Sequence, residues 1–278
     1  MNSNSLAPVP PFLYGTAWKE ARTEELVLLA LEAGFRGIDS ANQRKHYFEA
    51  AVGAALRKAM QRGSVTRAEL FLQTKFTFAG GQDHRLPYDA RAEHATQVEQ
   101  SFASSLEHLG TEYLDSYVLH GPHARTGLDQ ADWDAWRAME RIAERGQARF
   151  LGVSNVDLAQ LRALVAGAAI RPAFVQNRCY ARTGWDRAVR AFCGEHGIVY
   201  QGFSLLTANA RELERPEVRA IARRVNATVP AVVFRFALAL GMLPLTGTSD
   251  SAHMRADLQA PALDLTPDEL RLLETISG

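Results

Sequence analysis

Three ionisable residues, Asp39, Lys75 and His120, each stand at or next to the end of a short apolar run. If these runs are strands of a parallel barrel, their carboxyl ends meet at one face, and the three side chains share one cavity. The carboxylate would pair with the ammonium, which would lower the pKa of a nearby phenol by favouring its ionised form. Such a phenol can give its proton to a carbonyl oxygen, and the imidazole can hydrogen-bond that oxygen. These residues predict carbonyl chemistry that requires no metal ion.

Each of these residues also has an ordinary structural interpretation when it is considered alone. An aspartate after a strand often caps a helix, a lysine is usually solvated, and a histidine often makes a structural hydrogen bond. Polar residues, however, follow most of the other apolar runs as well: Ser154-Asn155, Gln176-Asn177, Ser204 and Thr248-Ser249. Their common position favours a shared site over a set of unrelated polar residues.

Eight short apolar runs are candidate strands, and amphipathic segments with helical spacing separate most of them. The runs are Phe12–Gly15, Gly37–Ser40, Leu70–Phe76, Tyr113–His120, Arg149–Ser154, Ala173–Asn177, Ile198–Ser204 and Met242–Gly247. Strands that alternate with helices predict a parallel sheet. No GxGxxG turn follows the first run, which disfavours an open doubly wound sheet. We therefore predict an α/β fold, a (β/α)8 TIM barrel, with residues 1–278 forming a single domain.

The composition excludes several classes of partner. Lys plus Arg and Asp plus Glu both number 31, so no net charge favours nucleic acid or an anionic membrane. No run approaches the roughly 18 apolar residues of a membrane span, and residues 1–12 lack the features of a signal peptide. Cys179 and Cys193 fit no metal-site spacing and are expected to be free thiols in a reducing compartment. We expect a cytoplasmic protein, either a monomer or a weak homo-oligomer.

Several segments, taken in order, resemble the aldo-keto reductase superfamily over nearly the whole chain. They are LYGTAW (13–18), GFRGIDSA (34–41), EAAVGAAL (49–56), LFLQTK (70–75), LEHLGTEYLDSYVLHGP (106–122), LGVSN (151–155), VQN (175–177) and TGTS (246–249). The resemblance implies NAD(P)H-dependent reduction of an aldehyde or ketone, or the reverse oxidation, on a small-molecule carbonyl substrate. It also implies an Asp–Tyr–Lys–His tetrad, in which Asp39, Lys75 and His120 match their motifs.

The tyrosine of that tetrad is where the sequence departs from the family pattern. The family usually has it five residues after the aspartate and six before a Val-Gly pair. Here Arg44 stands five residues after Asp39, and His46 stands six before Val52, so the spacing is two residues longer. Tyr47 is the only tyrosine in this segment and is the expected proton donor. His46 in that position is the alternative, and Tyr47 could instead simply pack at the start of the second helix.

The resemblance also implies a cofactor site. Ser154, Asn155 and Gln176 correspond to residues that hold the nicotinamide carboxamide, and Phe203 stands where the family usually has a stacking tyrosine, although it could be a core aromatic. The remaining expected cofactor contacts are Ser204, Leu206, Gly247, Thr248, Ser249, His253 and Asp257.

The cations that usually select NADP(H) are missing from this sequence. NADPH-selective family members carry a Lys-Ser pair after strand eight and an arginine before an asparagine, which bind the 2′-phosphate. The corresponding residues here are Gly247-Thr248, His253 and Asp257, with Arg255 close by. The family makes NADP(H) the first expectation, and the absent lysine leaves NAD(H) open.

The substrate pocket is expected to include Trp18, His46 and His84, the last from a loop over residues 81–89 that would lie across the barrel mouth. A packed Trp18 and a solvated loop are the simpler interpretations. Because the tyrosine is displaced, a nucleotide-binding sensor or subunit with little turnover is an alternative function. A Schiff-base enzyme that uses Lys75 is a weaker one.

Overall fold

The computed structural model describes residues 9–277, in which eight parallel strands form a closed barrel. The strands are β1 (Leu13–Gly15), β2 (Gly37–Asp39), β3 (Phe71–Phe76), β4 (Leu114–Leu119), β5 (Ala148–Ser154), β6 (Phe174–Arg178), β7 (Val199–Phe203) and β8 (Leu243–Thr246). Each strand pairs with its sequence neighbours, and pairing of β1 with β8 closes the sheet. The predicted (β/α)8 barrel is confirmed, and the strand bounds agree closely with those expected. The first eight residues of the segment tested for a signal peptide lie outside the described residues.

Helices surround the barrel. They are α1 (Thr23–Ala33), α2 (Glu49–Gln61), α3 (His94–Leu109), α4 (Gln130–Glu144), α5 (Leu158–Gly167), α6 (Arg187–Glu195), α7 (Ala210–Leu213), α8 (Pro216–Arg224), α9 (Val229–Ala239), α10 (Ser251–Gln259) and α11 (Pro267–Glu274). Left-handed Gly34 and Gly110 end α1 and α3, and the hydroxyls of Thr228 and Thr266 cap α9 and α11. From residue 9 to residue 277, no helix has the length and apolarity needed to cross a bilayer.

The interior of the barrel changes from apolar to charged toward the carboxyl ends of the strands. Leu13, Phe71, Phe174 and Leu243 form a buried apolar cluster near the amino ends. Side chains two residues apart on a strand point to the same side, so Gln73 and then Lys75 follow Phe71 along the interior of β3. This order places the ionisable groups above an apolar floor, at the end of the barrel where its loops can carry a site.

Candidate active site

A cavity of about 760 Å³ opens at the carboxyl ends of the strands. The expected residues that line it are Trp18, Asp39, His46, Tyr47, His120, Ser154, Asn155, Gln176, Phe203, Ser204, Leu206, Gly247, Thr248, His253 and Asp257. Lys75 lies fully buried directly behind Asp39. The structure therefore brings together nearly all the residues that the sequence proposed for one site.

Two expected residues, His84 and Ser249, are exposed and do not line this cavity. The loop that contains His84 does not contribute to the cavity wall, because Asp83 accepts from the backbone and side chain of Arg85, and the Tyr88 hydroxyl donates to the carbonyl of Thr77. Ser249 lies outside because the next residue, Asp250, turns back to cap α10. The expected contributions of His84 to the pocket and Ser249 to the cofactor site are not seen.

Asp39 and Lys75 form a buried ion pair. The Lys75 ammonium donates to both carboxylate oxygens at 2.7 Å and to the carbonyl of Ser40 at 2.7 Å. Burial lowers the pKa of Lys75, whereas the Asp39 carboxylate acts in the opposite direction. All three ammonium donors are thus directed to oxygen atoms, which fixes the charge at the base of the cavity.

The turn after β2 decides which side chain faces this pair. The amide of Tyr47 donates to the carbonyl of Gln43 at 2.9 Å, and the amide of Trp18 donates to the carbonyl of His46 at 2.8 Å. The Tyr47 ring then lies edge-on to His120, with centroids 5.8 Å apart, and its centroid is 5.2 Å from Nζ of Lys75.

The His46 imidazole takes a different direction. It packs against the Trp18 indole with centroids 3.9 Å apart, and its Nδ1 lies 2.9 Å from Oε1 of Gln43. The Trp18 side chain is 69% exposed and forms an open edge of the cavity. Of the two candidate proton donors, Tyr47 is therefore the one that lies beside Lys75 and His120.

The surroundings of the Tyr47 hydroxyl favour its protonated form. Burial raises its pKa above the usual range, and the Asp39 carboxylate raises it further. The sequence predicted that Lys75 would lower this pKa, whereas the pKa is raised because burial has the largest effect and the Asp39 carboxylate adds to it. A phenol that keeps its proton can donate it to an oxygen on which negative charge develops.

His120 is neutral, because burial first and then the charge of Lys75 lower its pKa well below the usual value. Its Nδ1 lies 2.7 Å from the hydroxyl of Thr77. If that hydroxyl donates, the ring proton resides on Nε2, the nitrogen left to donate to a carbonyl oxygen. Thr77 was not anticipated from the sequence, since it belongs to the loop after β3 and matches no motif.

The other side of the cavity offers amide oxygens. Nδ2 of Asn155 donates to the carbonyl of His120 at 2.7 Å and to Oγ of Ser154 at 3.1 Å. Nε2 of Gln176 donates to Oδ1 of Asp39 at 3.0 Å and to Oε1 of Gln201 at 2.9 Å. The N–H groups of Asn155 and Gln176 are thus used within the protein, and the two amide oxygens are left as acceptors. Two such oxygens suit the two N–H donors of a primary carboxamide.

The far end of the cavity follows β8. The Tyr14 hydroxyl donates to the carbonyl of Thr248 at 2.9 Å, and the Lys19 ammonium donates to the carbonyl of Gly247. Asp257 accepts from the Thr246 hydroxyl at 2.7 Å, and burial raises its pKa to about 6. The Lys19 ammonium thus lies beside Gly247, which stands where NADPH-selective family members carry a lysine.

Sequence reasoning missed two cations of the cavity wall, Lys19 and Arg178. Arg178 stands two residues after Gln176 on β6, so the alternation of a strand already places both on the same side. Its guanidinium lies 5.5 Å from the Phe203 ring centroid. Lys19 directly follows Trp18, in the loop that leads from β1.

Comparison with known proteins gives these residues a context. The model of the aldo/keto reductase family matches residues 13–277. The chain belongs to this family. An aldo-keto reductase of Mycolicibacterium vanbaalenii is 31% identical over 279 residues, covering 99% of this chain and 90% of the relative. The resemblance seen in the sequence and the predicted oxidoreductase class are both confirmed.

Solved structures of aldo-keto reductases share the fold. The Brucella melitensis aldo/keto reductase is 25% identical with a TM-score of 0.79, covering 96% of this chain and 95% of that one. The silkworm Bombyx mori aldo-keto reductase AKR2E4, solved in complex with NADP, is 24% identical with a TM-score of 0.81, covering 96% and 89%. At this level of identity, the similarity to the silkworm structure shows a shared barrel fold.

Proposed function

We propose that this aldo-keto reductase family member reduces an aldehyde or ketone to an alcohol with NADPH, or catalyses the reverse oxidation. The observation that carries the proposal is the position of Tyr47 beside Lys75 and His120, at the base of a cavity of about 760 Å³. NADP(H) is favoured over NAD(H) because the silkworm relative was solved with NADP.

Each residue of the cavity has a separate role in this reaction. The reduced nicotinamide, when bound, supplies the hydride. The oxygens of Asn155 and Gln176 would accept the carboxamide N–H groups, and Phe203, on the neighbouring strand, would offer a stacking surface to the nicotinamide. Tyr47 gives its hydroxyl proton to the carbonyl oxygen as negative charge develops there. His120 donates a hydrogen bond from Nε2 to the same oxygen, and Lys75 stabilises the phenolate left on Tyr47.

A turnover assay tests this proposal. Purified protein is mixed with NADPH or NADH and a panel of aldehydes and ketones, and oxidation of the nicotinamide is followed by its absorbance. We expect turnover on part of the panel. Tight cofactor binding without turnover on any carbonyl would contradict the proposal and favour a nucleotide-binding sensor.

Thr77 is expected to set the tautomer of His120. Thr77→Val keeps the shape but removes the hydroxyl on Nδ1. Loss of one buried hydrogen bond of ordinary strength should lower kcat about tenfold, with little change in the Kd of NADPH. Tyr88→Phe is the matched control, because it removes a bond to the Thr77 carbonyl and leaves the hydroxyl in place. Equal kcat values for Thr77→Val and wild type would refute this role.

Asp257 is expected to make NADPH binding depend on pH. Its pKa is about 6, so it is neutral below that pH and carries a negative charge above it. If the 2′-phosphate binds beside it, NADPH affinity should fall about three- to tenfold as pH rises through this value. Asp257→Asn should remove this fall and tighten NADPH binding at neutral pH. Titrations with NADH are the control, and an equal gain for both cofactors would show that no phosphate lies near Asp257.

A further inference from the structure

Two glutamines form a reciprocal amide pair across the interior of the barrel. Gln73 of β3 and Gln201 of β7 are both almost completely buried. Nε2 of Gln73 donates to Oε1 of Gln201 at 2.8 Å, and Nε2 of Gln201 donates to Oε1 of Gln73 at 2.9 Å. Neither residue lines the cavity, so neither is placed to touch the cofactor or the substrate.

The pair is bonded to two residues that do line the cavity. Nε2 of Gln73 also donates to Oδ1 of Asp39 at 2.7 Å. Nε2 of Gln176 donates to that same carboxylate oxygen at 3.0 Å and to Oε1 of Gln201 at 2.9 Å. Oε1 of Gln201 and Oδ1 of Asp39 thus each accept from two amides. This buried layer of three amides and one carboxylate links the cofactor side of the site to the Lys75 side.

The layer permits only one orientation of each amide. Turning the Gln176 amide would direct its oxygen at the Asp39 carboxylate and at Oε1 of Gln201, so two hydrogen bonds would become repulsive contacts. Phe71 and Phe174, each two residues earlier on its strand, belong to the apolar floor. Buried amides without partners are costly in such surroundings.

We propose that Gln201 and Gln73 are positioning residues for the reaction. Gln201 holds the Gln176 amide so that its oxygen faces the carboxamide of the cofactor. Gln73 holds the carboxylate of Asp39, which in turn fixes Lys75. The inference rests on the proposed function, and it assigns the orientation of the cofactor-binding amide to a side chain that the cofactor does not contact.

The experiment compares four proteins: wild type, Gln201→Met, Gln73→Met and the control Ser116→Ala. Ser116 of β4 is the register partner of Gln73, and its buried hydroxyl has no hydrogen-bond partner within residues 9–277. The Kd of NADP+ is measured by quenching of tryptophan fluorescence, kcat is measured at saturating cofactor, and circular dichroism checks the fold.

The two glutamine variants are expected to behave differently. Gln201→Met should raise the Kd of NADP+ about tenfold, because the Gln176 amide loses an acceptor that fixes it. Gln73→Met should change that Kd less than about twofold, because the Gln176 amide keeps both of its acceptors. It should lower kcat several-fold, because the Asp39 carboxylate that fixes Lys75 loses a hydrogen bond. Ser116→Ala should match wild type in both measurements.

A double variant separates positioning from a general loosening of the barrel. In a Gln176→Met background, Gln201→Met should raise the Kd no further. If Gln201→Met does not fold, Gln201→Asn takes its place. Its side chain is one methylene shorter, so its amide oxygen lies farther from Nε2 of Gln176.

The results can overturn the inference in two ways. An unchanged Kd in a folded Gln201→Met, or the same increase in the Gln176→Met background, would show that Gln201 does not act through Gln176. Either result leaves the proposed function intact. A wild-type protein that binds neither NADP+ nor NAD+ would instead overturn the proposed function, and this inference with it.

Discussion

Tyr47→Phe is expected to lower kcat about 10²- to 10⁴-fold, the range of a lost general acid. The Kd of NADPH should stay within about twofold of wild type, because the hydroxyl contributes to proton transfer and the ring keeps its packing. The edge-on contact of the Tyr47 ring with His120 and its closeness to Lys75 are the reasons for this expectation. Steady-state kinetics on an active carbonyl substrate, together with a cofactor titration, measure both quantities.

His46→Gln is the matched control for that experiment. It changes the neighbouring residue of the same turn, whose imidazole packs on Trp18 at the mouth of the cavity. It should alter KM for some substrates and leave kcat within about threefold of wild type, since a residue at the mouth contributes mainly to binding. A large loss of kcat in His46→Gln, with little loss in Tyr47→Phe, would assign proton donation to His46.

Lys75→Met is expected to abolish turnover and to destabilise the fold. Removing the ammonium leaves the buried Asp39 carboxylate without its partner, a change that costs about 3–5 kcal/mol of unfolding free energy. Both side chains of this pair are almost completely buried, so solvent screens their interaction little. Denaturant unfolding followed by circular dichroism measures the effect.

The double variant Asp39→Asn with Lys75→Met separates the two consequences. With both charges removed, much of the lost unfolding free energy should return, whereas turnover should not. A Lys75→Met protein as stable as wild type would show that the Asp39 carboxylate does not depend on this ion pair. A double variant with restored turnover would show that Lys75 has no part in the chemistry.

The fold could be predicted because its signals are local. Eight apolar runs predicted the strands, and the amphipathic segments between them predicted helices. Polar residues at strand ends gave the site, because a parallel barrel gathers those ends at one face. Neither inference needed knowledge of how distant side chains meet.

Other features depend on contacts between segments that are distant in the sequence. The direction of Tyr47 follows from a turn bonded to the loop of Trp18, and spacing alone left His46 as an alternative. Gln73 and Gln201 lie 128 residues apart, and their pairing follows only from closure of the barrel. The sequence did contain one local signal for Gln73. It stands two residues before Lys75 on the same strand, so both side chains point to the interior of the barrel.

A crystal structure with bound NADP+ tests the central proposal most directly. We expect the Tyr47 hydroxyl to face the nicotinamide, within about 3–4 Å of a bound carbonyl mimic that also contacts Nε2 of His120. The carboxamide should meet the oxygens of Asn155 and Gln176. A structure with Tyr47 turned away and His46 facing the nicotinamide, or with the carboxamide bound elsewhere, would contradict the proposed mechanism.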